Sequence, residues 1–386
     1  MHICIDNNQK KQAYNQQGSE NAKNVQIMAE KHSISINCLA LYETNSLLLL
    51  ASGSDDGRIC LWQSELLNNT KLICKYVFNN HHGYITELIF HNDYLISSSS
   101  DGTIRKWNYI IGKCEYVYVG HKDVVRTILC INDYIISGSQ DKTAICWNFH
   151  TGEILNTFKG HTRLVNTLTY FRNVVNLYRN ENNSDVVSTV GHFEYIYTGS
   201  ADRTAKSWNL KSSKCIITFE GHTQPITAME IFKDGEILLT ASIDNTIRSW
   251  FTESGIQQYV FVGHKGTIVS MNIDNKILYT GSIDHTARSW FIETGKPIRT
   301  FSKHTRSVNY VRNHQGILFT ACSDGCIRLF DDKSGELLKK LMHPNQEGCV
   351  TFQIYNEYLF SASNDGKIYV WRYFDPDIMQ KVNRNE

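Results

Sequence analysis

Only four prolines interrupt the 386 residues, and no apolar run nears the ~18–20 residues a membrane span requires. The longest such stretch, LLLLA at 47–51, is far too short, so no membrane association is expected. The opening residues lack the apolar core of a secretory signal, which leads to the expectation of an intracellular chain in the cytoplasm, with the nucleus as the alternative. Neither charge is in excess, with 39 Lys+Arg against 38 Asp+Glu. Phosphate neutralisation needs a basic surplus, so a dedicated nucleic-acid binder is not expected. Glycine loops that cradle phosphates are missing as well, and no cofactor or small-molecule substrate is anticipated. Eleven cysteines form an odd set without pairing, the usage of reduced thiols. What is abundant is tyrosine, with Ile, Val and Thr, a composition that leans towards strand.

The chain repeats itself. SGSDDGRICLW (52–62), SSSSDGTIRKW (97–107), SGSQDKTAICW (137–147) and TGSADRTAKSW (198–208) are versions of one segment. TASIDNTIRSW (240–250), TGSIDHTARSW (280–290), TACSDGCIRLF (320–330) and SASNDGKIYVW (361–371) continue it. Their aspartates are separated by 45, 40, 61, 42, 40, 40 and 41 residues, near the period of a four-stranded propeller blade in all but one interval. A histidine precedes each segment. Eight constellations result: His32, Ser52, Asp56, Trp62; His81, Ser97, Asp101, Trp107; His121, Ser137, Asp141, Trp147; and His161, Thr198, Asp202, Trp208. The other four are His222, Thr240, Asp244, Trp250; His264, Thr280, Asp284, Trp290; His304, Thr320, Asp324, Phe330; and His343, Ser361, Asp365, Trp371. Ser137, Asp141 and His121 are the side-chain types of a hydrolase triad. A triad, however, needs one exposed nucleophile beside an oxyanion site, not eight copies at fixed spacing. No catalytic role is assigned to them, and the chain is not expected to be an enzyme.

Alternating apolar runs such as YLISS and YIISG lie between these anchors and read as strands. The pattern over residues 24–374 resembles the WD-repeat family, which implies an all-β, eight-bladed propeller. The resemblance also implies that each constellation is a buried tetrad. In it Trp N–H donates to the hydroxyl, the hydroxyl to His, and His to Asp, where an unpaired group would cost ~1–3 kcal/mol. Seven tetrads are complete by residue type; the seventh has Phe330, which has no N–H to give. Eight units, a long insertion in the fourth and Phe in the seventh narrow the resemblance to the WD-repeat-containing protein 86 group. The units are also similar to the WD domains of F-box substrate receptors, although no F-box-like helical module precedes residue 24.

Outer-strand candidates precede every His except the first in the style KLICKYVF (71–78), which makes seven for eight blades. The segment NVQIMAE at 24–30 is expected to supply the eighth, closing the ring non-locally and removing an exposed edge. A seven-bladed ring with an irregular first unit is the alternative. Residues 1–23 read as a disordered Asn/Gln-rich tail, 375–386 as a polar tail, and 172–194 as a solvated insertion loop on the face opposite the His/Asp turns.

Little else carries chemistry. Cys322 and Cys326 lack a second ligand pair for zinc. Arg105, Lys206, Arg248, Arg288 and Arg328, each two residues before the tetrad aromatic, are expected to pair between blades. The resemblance implies partner contacts on the His/Asp-turn face at three positions: three and five residues after the His, and just before the Asp. These give Tyr84, Val124 and Leu164; Arg126, Asn166 and Val269; and Ile243 and Ile283. Exposed apolar residues gathered on one face mark partner sites. Receptors of phosphorylated degrons place several arginines at such positions, and here Arg126 stands alone, so that reading is disfavoured. The expected function is a non-catalytic protein–protein scaffold within a larger assembly. The alternative is a substrate adaptor of a ubiquitin ligase that receives its F-box or linker in trans.

Overall fold

The computed structural model describes residues 25–27, 32–44, 47–65, 72–175 and 191–373. The expected tails 1–23 and 375–386 lie outside the described residues. Within them every regular element is a strand, and the strands form eight four-stranded antiparallel sheets. Seven sheets are consecutive in sequence, from Ile36–Phe78 in blade 1 to Val308–Met342 in blade 7. The eighth joins Cys349–Tyr355, Tyr358–Ser363 and Ile368–Arg372 to the strand Val25–Ile27. Val25 faces Trp371 and Ile27 faces Tyr369 in an antiparallel ladder. The first strand of each blade touches that of the next all the way round, including Ile36–Glu43 against Cys349–Tyr355. The ring is closed with eight blades, not seven.

Strand composition follows position in the blade. Second strands such as Tyr94–Ser99 are buried on both faces, because each blade packs between two neighbours, and they read as continuous apolar and small residues. Outer strands such as Ile73–Phe78 have one wet face and alternate. The core is therefore not central but lies between blades. One cluster joins Ile96, Ile104 and Tyr118 of blade 2 to Val125, Ile135 and Trp147 of blade 3. Another joins Phe360 and Val370 of blade 8 to Leu39, Leu50 and Trp62 of blade 1 across the seam.

The fourth blade departs from the expected boundaries of its insertion. The hairpin ladder runs four pairs into it, Arg172↔Glu194 through Val175↔Gly191. Strand thus covers 172–175 and 191–194, and residues 176–190 lie outside the described residues. The residue after each tetrad Asp takes the left-handed conformation. Glycine fills it at Gly57, Gly102, Gly325 and Gly366, but Lys142, Arg203, Asn245 and His285 hold it in blades 3 to 6.

Candidate partner-binding face

Each tetrad spans its blade from core to rim. In blade 3, Trp147 Nε1 donates to Ser137 Oγ at 2.8 Å, Ser137 lies 2.7 Å from His121 Nε2, and His121 Nδ1 lies 2.7 Å from Asp141. That network requires the tautomer with the proton on Nδ1. Ser137 has no exposed surface, so no substrate can reach its hydroxyl. Asp141 is held well below the usual carboxylate range. Burial alone would raise it, but hydrogen bonds from His121, Thr143 and the Lys122 N–H outweigh that. Blades 2, 4, 5 and 6 repeat the arrangement, with His–Asp distances of 2.8 Å.

A further hydroxyl completes these five. Thr103, Thr143, Thr204, Thr246 and Thr286, two residues after the Asp, donate to its other oxygen at 2.6–2.7 Å. Blades 1, 7 and 8 carry Arg58, Cys326 and Lys367 there, and in each the His–Asp bond is altered. In blade 1 it lengthens to 3.3 Å. In blade 7 Arg328, almost wholly buried, takes Asp324 by two bonds of 3.0 and 2.7 Å. His304 Nδ1 is left without a side-chain partner. Burial, followed by the adjacent Arg328 guanidinium, pushes His304 down to about 4. In blade 8 Tyr369 donates to Asp365 at 2.7 Å, and His343 Nδ1 turns to the Glu347 carbonyl at 3.2 Å. His343 stacks on the Tyr369 ring instead, at 4.5 Å. The eighth tetrad, complete by residue type, is therefore not a closed chain, because a phenol competes for its carboxylate.

The recurrent cations also depart from expectation. Arg328 bonds within its own blade, as do Lys206, which donates to Thr218 at 2.9 Å, and Arg248, which donates to Gln257.

What joins the blades is a residue the sequence reading placed among partner contacts. Every first strand carries a bulge. In five blades the bulged side chain bonds a carbonyl of the next blade. Asn37 reaches Ile85, Thr86 Val125, Asn166 Ile226, Thr227 Ile268, and Asn309 Cys349, at 2.6–3.1 Å. Asn166 thus spends its amide nitrogen between blades. The recurrence of Asn or Thr five residues after the His was the available signal.

The remaining candidates lie on the face formed by the His/Asp turns. There the residue before each Asp donates its N–H to the carbonyl of the residue leading into the first strand: Ser100 to Tyr84, Gln140 to Val124, Ala201 to Leu164, Ile243 to Pro225 and Ile283 to Thr267. Each of blades 2 to 6 consequently presents an apolar residue on this rim. Tyr84, Ile243 and Ile283 are 38, 42 and 45 % exposed, Val124, Leu164 and Val269 are half-buried, and Arg126 is exposed. Blades 7, 8 and 1 present Ser307 and Ser323, Gly348 and Asn364, and Ser35 and Asp55 at the same positions. Two of these bond each other, Ser35 to Asn364 at 3.1 Å, and two take the bulge asparagine of their own blade, Asp55 from Asn37 at 2.7 Å and Ser323 from Asn309 at 2.9 Å. Among the described residues no group of three or more His, Cys, Asp and Glu is placed to hold a metal.

The family model for the WD domain, G-beta repeat, matches residues 24–63, 72–108, 112–148, 213–250, 255–290, 295–331 and 335–372. The stretch it passes over, 149–212, holds the first three strands of blade 4. A p21-activated protein kinase-interacting protein 1-like from Xenopus laevis is 34% identical over 84 residues, 21% of each chain. Mitochondrial division protein 1 from Vanderwaltozyma polyspora is 22% identical over 211 residues, 52% of this chain and 24% of that one. These matches span only about a fifth to a quarter of the curated relatives' length. Among solved structures, Saccharomyces cerevisiae Sqt1 superposes with a TM-score of 0.76 at 14% identity, and the computationally designed Ika8 protein with 0.74 at 23%. Each covers 90% of this chain and 98% of its own.

Proposed function

The chain belongs to the WD-repeat family, and on that premise we propose that it is a scaffold that docks a protein partner on the His/Asp-turn face of blades 2 to 6. The observation that carries this reading is the division of one rim into two chemistries. Five consecutive blades present exposed or half-buried apolar residues there; at the same positions the other three present polar groups, bonded to each other or to bulge residues, with Ile34 the exposed apolar side chain in the His turn of blade 1. Interface energy concentrates in a few aromatic, arginine and aliphatic anchors. Tyr84, Arg126, Leu164, Ile243 and Ile283 are the anchors of this reading, with Val124 between them. The relatives support it in kind, since the first is named for an interaction with a protein kinase.

The test is a combined Tyr84→Ala, Arg126→Glu and Leu164→Asp variant used as bait beside the wild type in quantitative affinity purification. None of the three belongs to a tetrad, so the variant melts near the wild type while its main partner falls at least ~10-fold, the loss of about 1.4 kcal/mol or more. Unchanged recovery of the partner overturns the assignment. The same purification separates scaffold from ligase adaptor, because only the adaptor brings cullin-system subunits with it.

A further inference from the structure

The opposite face holds a cleft whose origin can be traced to one residue. In blades 3 to 8 the N–H of the residue two positions after the tetrad aromatic bonds the hairpin between the first two strands, whereas in blade 1 that residue is Ser64, still within the strand Ile59–Glu65. Phe149 reaches Asp133, Leu210 Glu194, Thr252 Glu236 and Ile292 Lys276 in this way. In five blades the side chain is large and buried, and it plugs the junction with the preceding blade: Tyr109, Phe149, Leu210, Ile292 and Tyr373. Between blades 6 and 7 the position is Asp332, which fills the space by accepting hydrogen bonds from Tyr279 at 2.9 Å and Asn313 at 3.0 Å. Between blades 4 and 5 it is Thr252, whose short side chain turns to the Gly235 carbonyl at 2.5 Å. The volume a plug would fill stays open.

The result is a cleft of about 500 Å³, within the range of ligand sites. Its walls include the rings of Phe171, Tyr195 and Tyr197 and the side chains of Ile216 and Ile217. The turn of blade 5 runs close along it, since a Cβ on Gly235 would come within 2.1 Å of the Phe171 ring. Three exposed carboxylates, Asp234, Glu236 and Glu253, stand at its mouth. The nearest paired cations are Lys233, 3.7 Å from Glu236, and Arg172, 4.0 Å from Glu194 in the adjoining hairpin. Aromatic faces attract cations, and carboxylates over a partly desolvated cleft add to that attraction. Ile216 at the edge, 51 % exposed, offers apolar contact for the residues flanking the cation.

We propose that this cleft is a second docking site, which takes an arginine or lysine side chain carried on a short apolar segment of a partner polypeptide. It lies on the face away from Tyr84 and Ile283 and does not depend on them. The probe is an end-capped peptide alternating leucine with arginine, compared with its glutamate counterpart, titrated into full-length protein carrying fluorotyrosine. Tyr195→Phe and Tyr197→Phe assign the two resonances. The arginine peptide shifts both, and Thr252→Leu, which installs the missing plug, weakens its binding at least ~10-fold. Glu253→Gln, fully on the surface, weakens it ~3-fold or more and does so less at high salt. The Tyr84→Ala, Arg126→Glu, Leu164→Asp variant binds the peptide as the wild type does. Equal response to the glutamate peptide, or undiminished binding by both Thr252→Leu and Glu253→Gln, overturns the proposal. If Thr252→Leu fails to fold, Glu253→Gln and the charge-reversed peptide decide it.

Discussion

Blades 2 to 6 and blades 7, 8 and 1 are built from the same repeat and have come to differ in two ways at once. In the first arc, a threonine two residues after the Asp holds one carboxylate oxygen and leaves the other for His. In the second arc the threonine is gone. The carboxylate is then drawn to whatever donor stands two residues before the tetrad aromatic, Arg328 in blade 7 and Tyr369 in blade 8. Blade 1 has Cys60 there, which offers no strong donor, and its His–Asp bond merely lengthens to 3.3 Å. The difference teaches that the tetrad is not self-sufficient. A hydroxyl outside the four named residues decides whether His keeps its Asp. The arc that lost this hydroxyl is also the arc with the polar rim, next to the seam where Val25–Ile27 closes the ring.

One substitution made in three places separates the arcs most sharply. Asp324→Ala is expected to destabilise by about 3–5 kcal/mol, because it leaves the buried Arg328 guanidinium unpaired. Asp141→Ala is expected to cost about 2–3 kcal/mol, stranding a neutral His121 N–H and the donors that share its carboxylate. Asp365→Ala is expected to cost only about 1–2 kcal/mol, since no side-chain bond from His343 depends on it and the donors it strands, Tyr369, the Lys367 N–H and Asn345, are only partly buried or exposed. Urea unfolding of the three variants gives the order; equal losses would erase the distinction between the arcs.

Acid should weaken the second arc through its histidines. Burial holds His304 and His343 down to about 4, against an ordinary value near 6.5. Both stay neutral when folded, whereas the unfolded chain takes up protons below pH 6.5. Their stabilisation is complete above that pH and is lost as pH falls from 6.5 to about 4, at roughly 1.4 kcal/mol per pH unit for each histidine. Unfolding free energies across this window should show a shallower slope for His304→Gln and for His343→Gln than for the wild type. An unchanged slope would remove these residues from the acid response.

Two smaller effects run in opposite directions. Phe330→Trp restores an N–H for Thr320 and is expected to stabilise blade 7 by about 1 kcal/mol, provided the larger ring fits where Phe330 is 1 % exposed. In blade 3, Lys142→Gly is expected to stabilise by under about 1 kcal/mol, relieving a left-handed residue at φ 72°. Blades 1, 7 and 8 already have glycine there, as in the other arc only blade 2 does with Gly102, so the irregular arc has the less strained turns. Thermal melts resolve both, and a loss for Lys142→Gly would mean its side chain contributes more than its backbone costs.

The period, the eight blades and the non-local closing strand were legible because each is written in residue types at fixed spacing. The outcome at His343 was not, since it turns on competition between two donors for Asp365, and residue types alone do not rank them. Asn166 was read as a contact for partners because the resemblance implies one five residues after the His, yet the bulge turns it onto Ile226. The missing plug at Thr252 left a signal that went unread: Tyr109, Phe149, Leu210, Ile292 and Tyr373 recur two residues after the tetrad aromatic, and Thr252, like Ser64 and Asp332, breaks the series.

The central claim is that the apolar rim of blades 2 to 6 carries the principal partner. Hydrogen–deuterium exchange of the protein alone and in its co-purified complex tests it most directly. The account predicts slowed exchange in the segments around Tyr84, Val124–Arg126, Leu164, Ile243 and Ile283, with the segments around Ser35, Ser307 and Asn364 unchanged. Protection confined to those polar segments, with the apolar rim exchanging as in the free protein, would contradict it.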